Sequence, residues 1–457
     1  MARHAPNHRL NALLMESGWT AAALAREVNA IGDAQGWQLS YTRSSVAHWL
    51  RGSRPRAPVP ELVAVAFSRQ LGRPVTAEDT GLRQLTSDQA SLSLTTAAGR
   101  TPSDRLLLLI RGDTDPARRV QLRQLPYSPP QDTEVRWPTQ APPLQTPSMG
   151  GSRSTAMSCG VGALPATIRG VAHLIEEHGG AHARTAVAAY LADDVCPLLI
   201  HRAPRQLRRE LFVRTAQLTY LLGVMTDDAG HYELAKRYYT AAVGLARQAG
   251  HRPAFAITLR AMSLQALRLG HPREAHDLAT CAVDAAGRNA SGAVRSFVLI
   301  QRARTAALDG QPRLALRLME TAVRQHDRSA GCSSDPFTSY PRAGLDYQRA
   351  AVFSVLGRYG DAVAALEAST VHRDPRERAP AALTYARLAE THLRLGHLDA
   401  ACAQWQHFLD LYPYLRSRRA EQALVGLRRS LRPYGRAPWA RTVLGRARAL
   451  GPGPGGG

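Results

Sequence analysis

A glycine followed five residues later by an alanine recurs five times in the C-terminal half of this chain, at Gly230/Ala235, Gly270/Ala275, Gly310/Ala315, Gly357/Ala362 and Gly396/Ala401. Successive alanines are 40, 40, 47 and 39 residues apart. A unit of that length holds two helices and cannot enclose a core of its own, so it must bury its apolar face against the next unit. Each anchor predicts a helix, a glycine turn and a second helix. Seven positions after the alanine stands another small residue, Ala242, Ala282, Ala322 or Ser369, and only Phe408 breaks the rule. Small side chains there let antiparallel helices cross closely, while Tyr239, Met319, Leu366 and Trp405 fill the spaces between neighbouring pairs. The expected fold is all-α, with an α-solenoid of helical pairs over 161–450.

The N-terminal 1–83 reads differently. Leu10, Leu13 and Leu14 give one amphipathic helix, the alanine-rich run from Thr20 to Val28 a second, and Thr42 to Gly52 a third. In the last, Thr42 is a natural N-cap, Val46 and Trp49 share one face, and Gly52 can close the helix in the left-handed conformation. Pro60 to Leu71 completes a small bundle. This order is that of a helix-turn-helix DNA-binding domain, with Thr42, Arg43, Ser44 and His48 on the polar face of a recognition helix and Arg51, Arg54 and Arg56 after it. Arg43 can donate to a guanine edge, Ser44 can reach a base or phosphate, and the three later arginines suit phosphates. Asn29 to Tyr41, with Gly32, Gly36 and Trp37, is expected to bulge as a wing between the second and third helices.

Between these parts, 84–160 carries seven prolines from Pro126 to Pro147 and then Gly150-Gly151-Ser152. It is expected to be a largely disordered linker with at most Asp104 to Ile110 folded, and the glycine-rich 451–457 a disordered tail.

A formal net charge of +22 favours a polyanionic partner, although with Lys236 as the sole lysine the arginine excess also reflects codon bias. The five cysteines, Cys159, Cys196, Cys281, Cys332 and Cys402, are scattered, which predicts neither disulfides nor a zinc site and fits a reducing, cytoplasmic setting. No run is long and apolar enough for a membrane helix or a secretory leader. His173 to His178 approximates a zinc motif, but its histidines are five apart and lie on different helix faces. Asp193-Asp194 and Asp227-Asp228 read as solvated pairs. With no phosphate-binding loop either, neither an enzyme nor a metal or other cofactor is expected.

The family spacing of Leu24-Ala25, Thr42, Val46, Trp49 and Gly52 resembles XRE-type DNA-binding domains. The strings Gly179 to Arg184, Tyr190-Leu191, Val195 to Leu199, Asp228 to His231, Ala235 to Tyr239 and Met262 to Ala266 are similar to those of actinobacterial XRE regulators carrying tetratricopeptide repeats. That family includes negative regulators of sporulation and antibiotic production. The resemblance implies a nucleoid-associated transcriptional regulator, a repressor of differentiation or secondary-metabolism genes, bound to double-stranded DNA as a homodimer. Aligning the repeats on their alanines places Tyr220, Asp228, Arg260, Arg268, Arg304, Tyr347, Glu390 and Arg394 along the concave groove, where a peptide, a small-molecule signal or a protein partner would lie. A scaffold that docks a protein partner, with a dispensable DNA-binding part, is the alternative. The arginines from Arg416 onward, with Leu424, Leu427, Leu431, Trp439, Val443 and Leu444 between them, predict a capping helix with a basic outer face, or else a second phosphate contact.

Overall fold

The computed structural model describes residues 6–82 apart from 57, 74, 76 and 78, then 101–130, 135–138, and 154–450 apart from 202, 330–336, 338 and 339. Every regular element among them is helical. No described helix is long and apolar enough to cross a membrane.

Four helices make the N-terminal bundle: α1 (His8–Ser17), α2 (Ala21–Ala34), α3 (Arg43–Leu50) and α4 (Val59–Leu71). Leu10, Leu14, Leu24, Val28, Ile31, Val46, Trp49, Leu62 and Phe67 form its core. Thr20 caps α2 by accepting the Ala23 amide at 3.2 Å. The first half of the expected wing is helix, because α2 runs on to Ala34. Gly32 lies under Leu39, whose Cδ1 would stand 2.5 Å from an added Cβ. Gly36, at φ +82°, then reverses the chain. Asn29 fastens the remaining loop, donating to the Tyr41 carbonyl and accepting its amide, both at 2.9 Å.

The expectation of a largely disordered 84–160, with at most Asp104 to Ile110 folded, falls short for the described part, where the helical stretch is longer. Helices α5 (Pro102–Thr114) and α6 (Pro116–Arg123) stand there, with Pro102 and Pro116 in first turns, where no amide is needed. Leu106, Leu109, Ile110 and Leu122 are buried, and α5 packs against the solenoid. The buried Asp113 accepts Arg184 at 2.6 and 2.9 Å and the Tyr238 hydroxyl at 2.6 Å. Burial alone would raise its carboxyl, but Arg184 and Tyr238 outweigh burial and hold it below the usual carboxylate range. Residues 84–100, 131–134 and 139–153 of the linker and the tail at 451–457 lie outside the described residues.

Helix α7 (Ser154–His178) opens the solenoid, followed by α8 (Arg184–Tyr190), a π-helical turn over Leu191–Val195, and α9 (Cys196–Ile200). Five hairpins follow: α10 (Arg205–Asp228) with α11 (Tyr232–Gln248), α12 (Arg252–Arg268) with α13 (Pro272–Ala286), α14 (Gly292–Leu308) with α15 (Pro312–Ser329), α16 (Arg342–Val355) with α17 (Tyr359–Val371), and α18 (Arg378–Arg394) with α19 (Leu398–Leu411). Each predicted glycine has positive φ, and the residue after it returns its amide to the carbonyl five positions back, as in His271 to Ala266 at 2.9 Å. All five alanines, the small residues seven positions later, and Phe408 are fully buried. The last hairpin, α20 (Arg418–Leu431) and α21 (Pro438–Ala449), buries Leu424, Leu427, Leu431, Val443 and Leu444. Trp439, expected in that core, is instead 67% exposed.

The solenoid does not stay open. Helix α7 packs on both α10 and α18, bringing the start of the solenoid against its fifth hairpin. The Arg416 amide donates to the His178 carbonyl at 2.7 Å, the Ala181 amide to the Arg416 carbonyl at 3.0 Å, and Arg378 pairs with Glu177 at 3.7 Å. At the centre of this seam Asp228 accepts the Gly180 amide at 2.7 Å, the Ser417 hydroxyl at 2.8 Å and the Arg419 Nε at 2.7 Å. The coil is a ring with a polar clasp.

His231, beside the Asp113 cluster, gives the fold a pH dependence. Burial, with the charges of Arg184 and Arg123, lowers its imidazole to about 4. It is neutral when folded and takes up a proton near pH 6.5 when unfolded, so it favours folding above pH 6.5 and loses that contribution as pH falls towards 4. Urea midpoints should therefore fall across that window, by about 3 kcal/mol of stability from this group. The fall should shrink in His231→Gln.

Candidate functional site

Two surfaces carry the residues that the sequence singled out. The first is α3. Trp49 and Val46 are buried beneath it, with Tyr41 meeting Trp49 edge-on at 5.1 Å between ring centroids. That packing turns Arg43, Ser44 and His48 outward, all exposed. Thr42 stands at the N-cap, where its amide donates to the Ser45 hydroxyl at 3.2 Å. Gly52 ends the helix at φ +97° and the Ser53 amide closes onto the His48 carbonyl at 3.1 Å. Arg51 is exposed but folds its Nε back to the Ala47 carbonyl at 3.2 Å, and Arg54 and Arg56 are exposed on the following segment.

The bundle is docked on the ring by surfaces away from α3. Arg69 on α4 donates to the Leu269 carbonyl at 2.5 Å and meets His271 Nε2 at 3.2 Å. The Gln35 side chain accepts the Tyr127 amide at 3.2 Å, and Arg418 donates to the Gly36 carbonyl at 3.3 Å. Tyr127 is buried between the two bodies, packed with Tyr232 and Leu269 and 5.5 Å from the His271 ring. His271 is itself buried, and burial holds its imidazole below the usual range.

The second surface is the inner wall of the ring, and here the sequence expectation divides. Asp228 and Arg268 hold structure: Asp228 is the clasp, and Arg268 pairs with Asp227, which also accepts Gln265 at 2.9 Å. Asp227 and Asp228 are thus buried and paired where the sequence suggested a solvated pair. Arg260 and Tyr347 each join a cation–π pair, Arg260 over Phe297 at 4.0 Å and Arg387 over Tyr347 at 4.5 Å. Tyr220 packs between Tyr239 and Phe337.

Arg304 on α14 is brought close to charges from three other helices. Burial and the positive charges of Arg387, Arg260 and Arg268, opposed by Tyr347, drive its guanidinium down to about 9. Arg419 in turn is held above its ordinary value, burial being outweighed by Asp228 and Asp227, and it also feels Tyr347 on the opposite wall. Glu390 and Arg394 are exposed at the α18 wall, with Arg394 donating to the Tyr359 hydroxyl at 3.1 Å. Burial raises the Glu390 carboxyl even against Arg387, Arg394 and Arg429, although the residue is open to solvent. Arg387, which the repeat alignment missed, belongs to this group. It lies seven residues, about two turns, before Arg394 on the same helix and so on the same face, and helical spacing alone could have found it.

On the outer side, a shallow cleft of about 780 Å³ lies between Val135–Pro138 and α13, lined by Trp137, Arg252, Asp277, Cys281 and Arg302. Arg252 covers the Trp137 ring at 5.1 Å. None of the residues predicted from sequence lines it.

The sequence profile of the family described as SP15 N-terminal domain matches residues 10–83, which is the bundle with the segment that follows it. That family is not the XRE-type family that the motif spacing resembles. No curated protein matches the chain.

Proposed function

We propose that this chain is a sequence-specific DNA-binding transcriptional regulator, acting as a homodimer whose ring domains set the arrangement of two recognition helices and receive a ligand or peptide signal. The observation that carries the reading is α3 itself. Its core face is fully used by the bundle, its polar face presents Arg43, Ser44 and His48 to solvent, and the bundle docks through α4 and the turn after α2 instead. A short helix offering an arginine and a serine from its first turn suits a major groove, with Arg43 reading guanine O6 and N7. The exposed Arg51, Arg54 and Arg56 beyond it suit flanking phosphates. The net charge of +22 supports a polyanionic partner. The sequence resemblance adds repression of differentiation or secondary-metabolism genes as the proposed direction, in the nucleoid of the cytoplasm.

One such helix reads only a few base pairs, so the full chain in a binding-site selection should enrich an inverted repeat with half-sites about one helical turn, roughly 34 Å, apart. Arg43→Ala should cost about 1–3 kcal/mol on the selected site and relax preference at one base position. Equal loss on specific and random duplex would displace Arg43 from base reading. A selection that enriches nothing would leave the ring as a docking scaffold for a protein partner.

A further inference from the structure

We infer that the interior of the ring is a binding site for a small phosphate-bearing anion, held by Arg260, Arg304 and Arg387. The inference deepens the sensing part of the proposed function by naming a ligand class, and it does not depend on DNA binding.

Arg304 on α14 feels the charges of Arg260 on α12 and Arg387 on α18, and among the described residues none of the three forms an ion pair or donates a hydrogen bond to an acceptor. Arg260 is only 7% exposed, yet its Nε has no acceptor and its charge rests on the Phe297 ring at 4.0 Å. Arg387 rests likewise on Tyr347 at 4.5 Å, and its Nη1 is buried without an acceptor. Arg304 has a buried, unbonded Nε and no aromatic face of its own. The Tyr340 hydroxyl, buried and without a partner, adds a neutral donor, and the charge of Arg260 acts on that ring.

The acids near this wall are committed elsewhere: Asp227 to Arg268, Asp228 to Arg419, and Asp346 to Arg342 and Arg349. Glu390 is exposed and makes no ion pair within 4 Å among the described residues, its charge acting on Arg387, Arg394 and Arg429 from a greater distance. Among the described acids only Glu390 acts on this group, through Arg387, and wholly or partly buried guanidinium groups that repel one another favour an anion between them. Planar guanidinium forks from three directions fit a compact group with several charges on tetrahedral oxygens, which is a phosphate. An extended acidic peptide carries one charge per residue and cannot concentrate them at one point.

The test titrates the full-length protein, without DNA, with pyrophosphate and separately with hexaglutamate, followed by calorimetry and thermal melting. Pyrophosphate is expected to bind saturably and raise the melting temperature. R304Q should weaken that binding at least tenfold while leaving the unliganded protein as stable as wild type or more so, because a repelled charge has been removed. R387Q on a different helix should weaken it similarly and provides the reading if R304Q does not fold. R313Q, an exposed arginine on the outer helix α15, should change nothing. The inference is overturned if pyrophosphate shows no saturable binding, if R313Q weakens it as much as R304Q and R387Q, or if hexaglutamate binds more tightly. Because no duplex enters the assay, its failure would leave the reading of α3 untouched, and a failed site selection would leave this one untouched.

Discussion

Asp113→Ala is expected to remove about 3–5 kcal/mol of folding stability, which is the range for stripping one partner from a buried ion pair. The carboxylate is inaccessible and accepts both arms of Arg184, itself 5% exposed, together with the Tyr238 hydroxyl. Alanine would strand a guanidinium and a phenol in the core between α5 and the first hairpin, and neither can reach water without opening that contact. Urea denaturation with matched slopes would measure the loss. Removing both partners should recover much of it, so Asp113→Leu with Arg184→Met is expected to be closer to wild type than Asp113→Ala alone. A loss under about 1 kcal/mol would mean that 101–123 is not part of the cooperative core.

Asp228→Ala should be comparably costly, about 3 kcal/mol, and its signature should be spatial. Burial opposes ionisation of this carboxyl, but Arg419, the Gly180 amide and the Ser417 hydroxyl overcome burial and hold it below the usual range. Without it three donors lose their acceptor at once, and all three lie on the seam between the first and last helices. Amide exchange is therefore expected to speed up together around Gly179–Ala183 and in α20, while α12 to α15 keep their protection. Uniform loss across all hairpins would show that the seam is no separate unit. Asp228→Asn, which keeps acceptor geometry without charge, should fall between the two.

The hairpins were legible in the sequence because their signal is local and repeated. A glycine that must take positive φ and an alanine that must fit a helix crossing are single-residue requirements, and each recurs within a fixed distance. The face of α3 was legible for a similar reason, since Val46 and Trp49 fix which side is buried. The end of α2 was misread because Gly32 in a helix looks like a breaker. Here its missing Cβ admits Leu39 instead. Only the middle of α5, Asp104 to Ile110, was legible; its end and α6 were hidden by the prolines that follow them and by Asp113, a charged residue that reads as surface until Arg184 is placed beside it. The ring was invisible for a deeper reason: its clasp joins Asp228 to Ser417 and Arg419, 189 and 191 residues away. No periodicity carries that information. It also changed the candidate groove, turning Asp228 and Arg268 into structural partners and bringing Arg387 to Arg304.

An open-ended array of stacked hairpins can lengthen or shorten by whole units, since each new unit needs only a neighbour on either side. Closure through Asp228 and Arg419 removes that freedom. Adding or deleting one hairpin would change the circumference by a full step, carry Arg418 away from Gly36 as well as Arg419 from Asp228, and pull the N-terminal bundle off one of its anchor points. Descendants of this chain are thereby confined to a single copy number, and variation in it must come from substitutions on the inner wall and from insertions in the outer turns, where an added loop leaves the circuit intact.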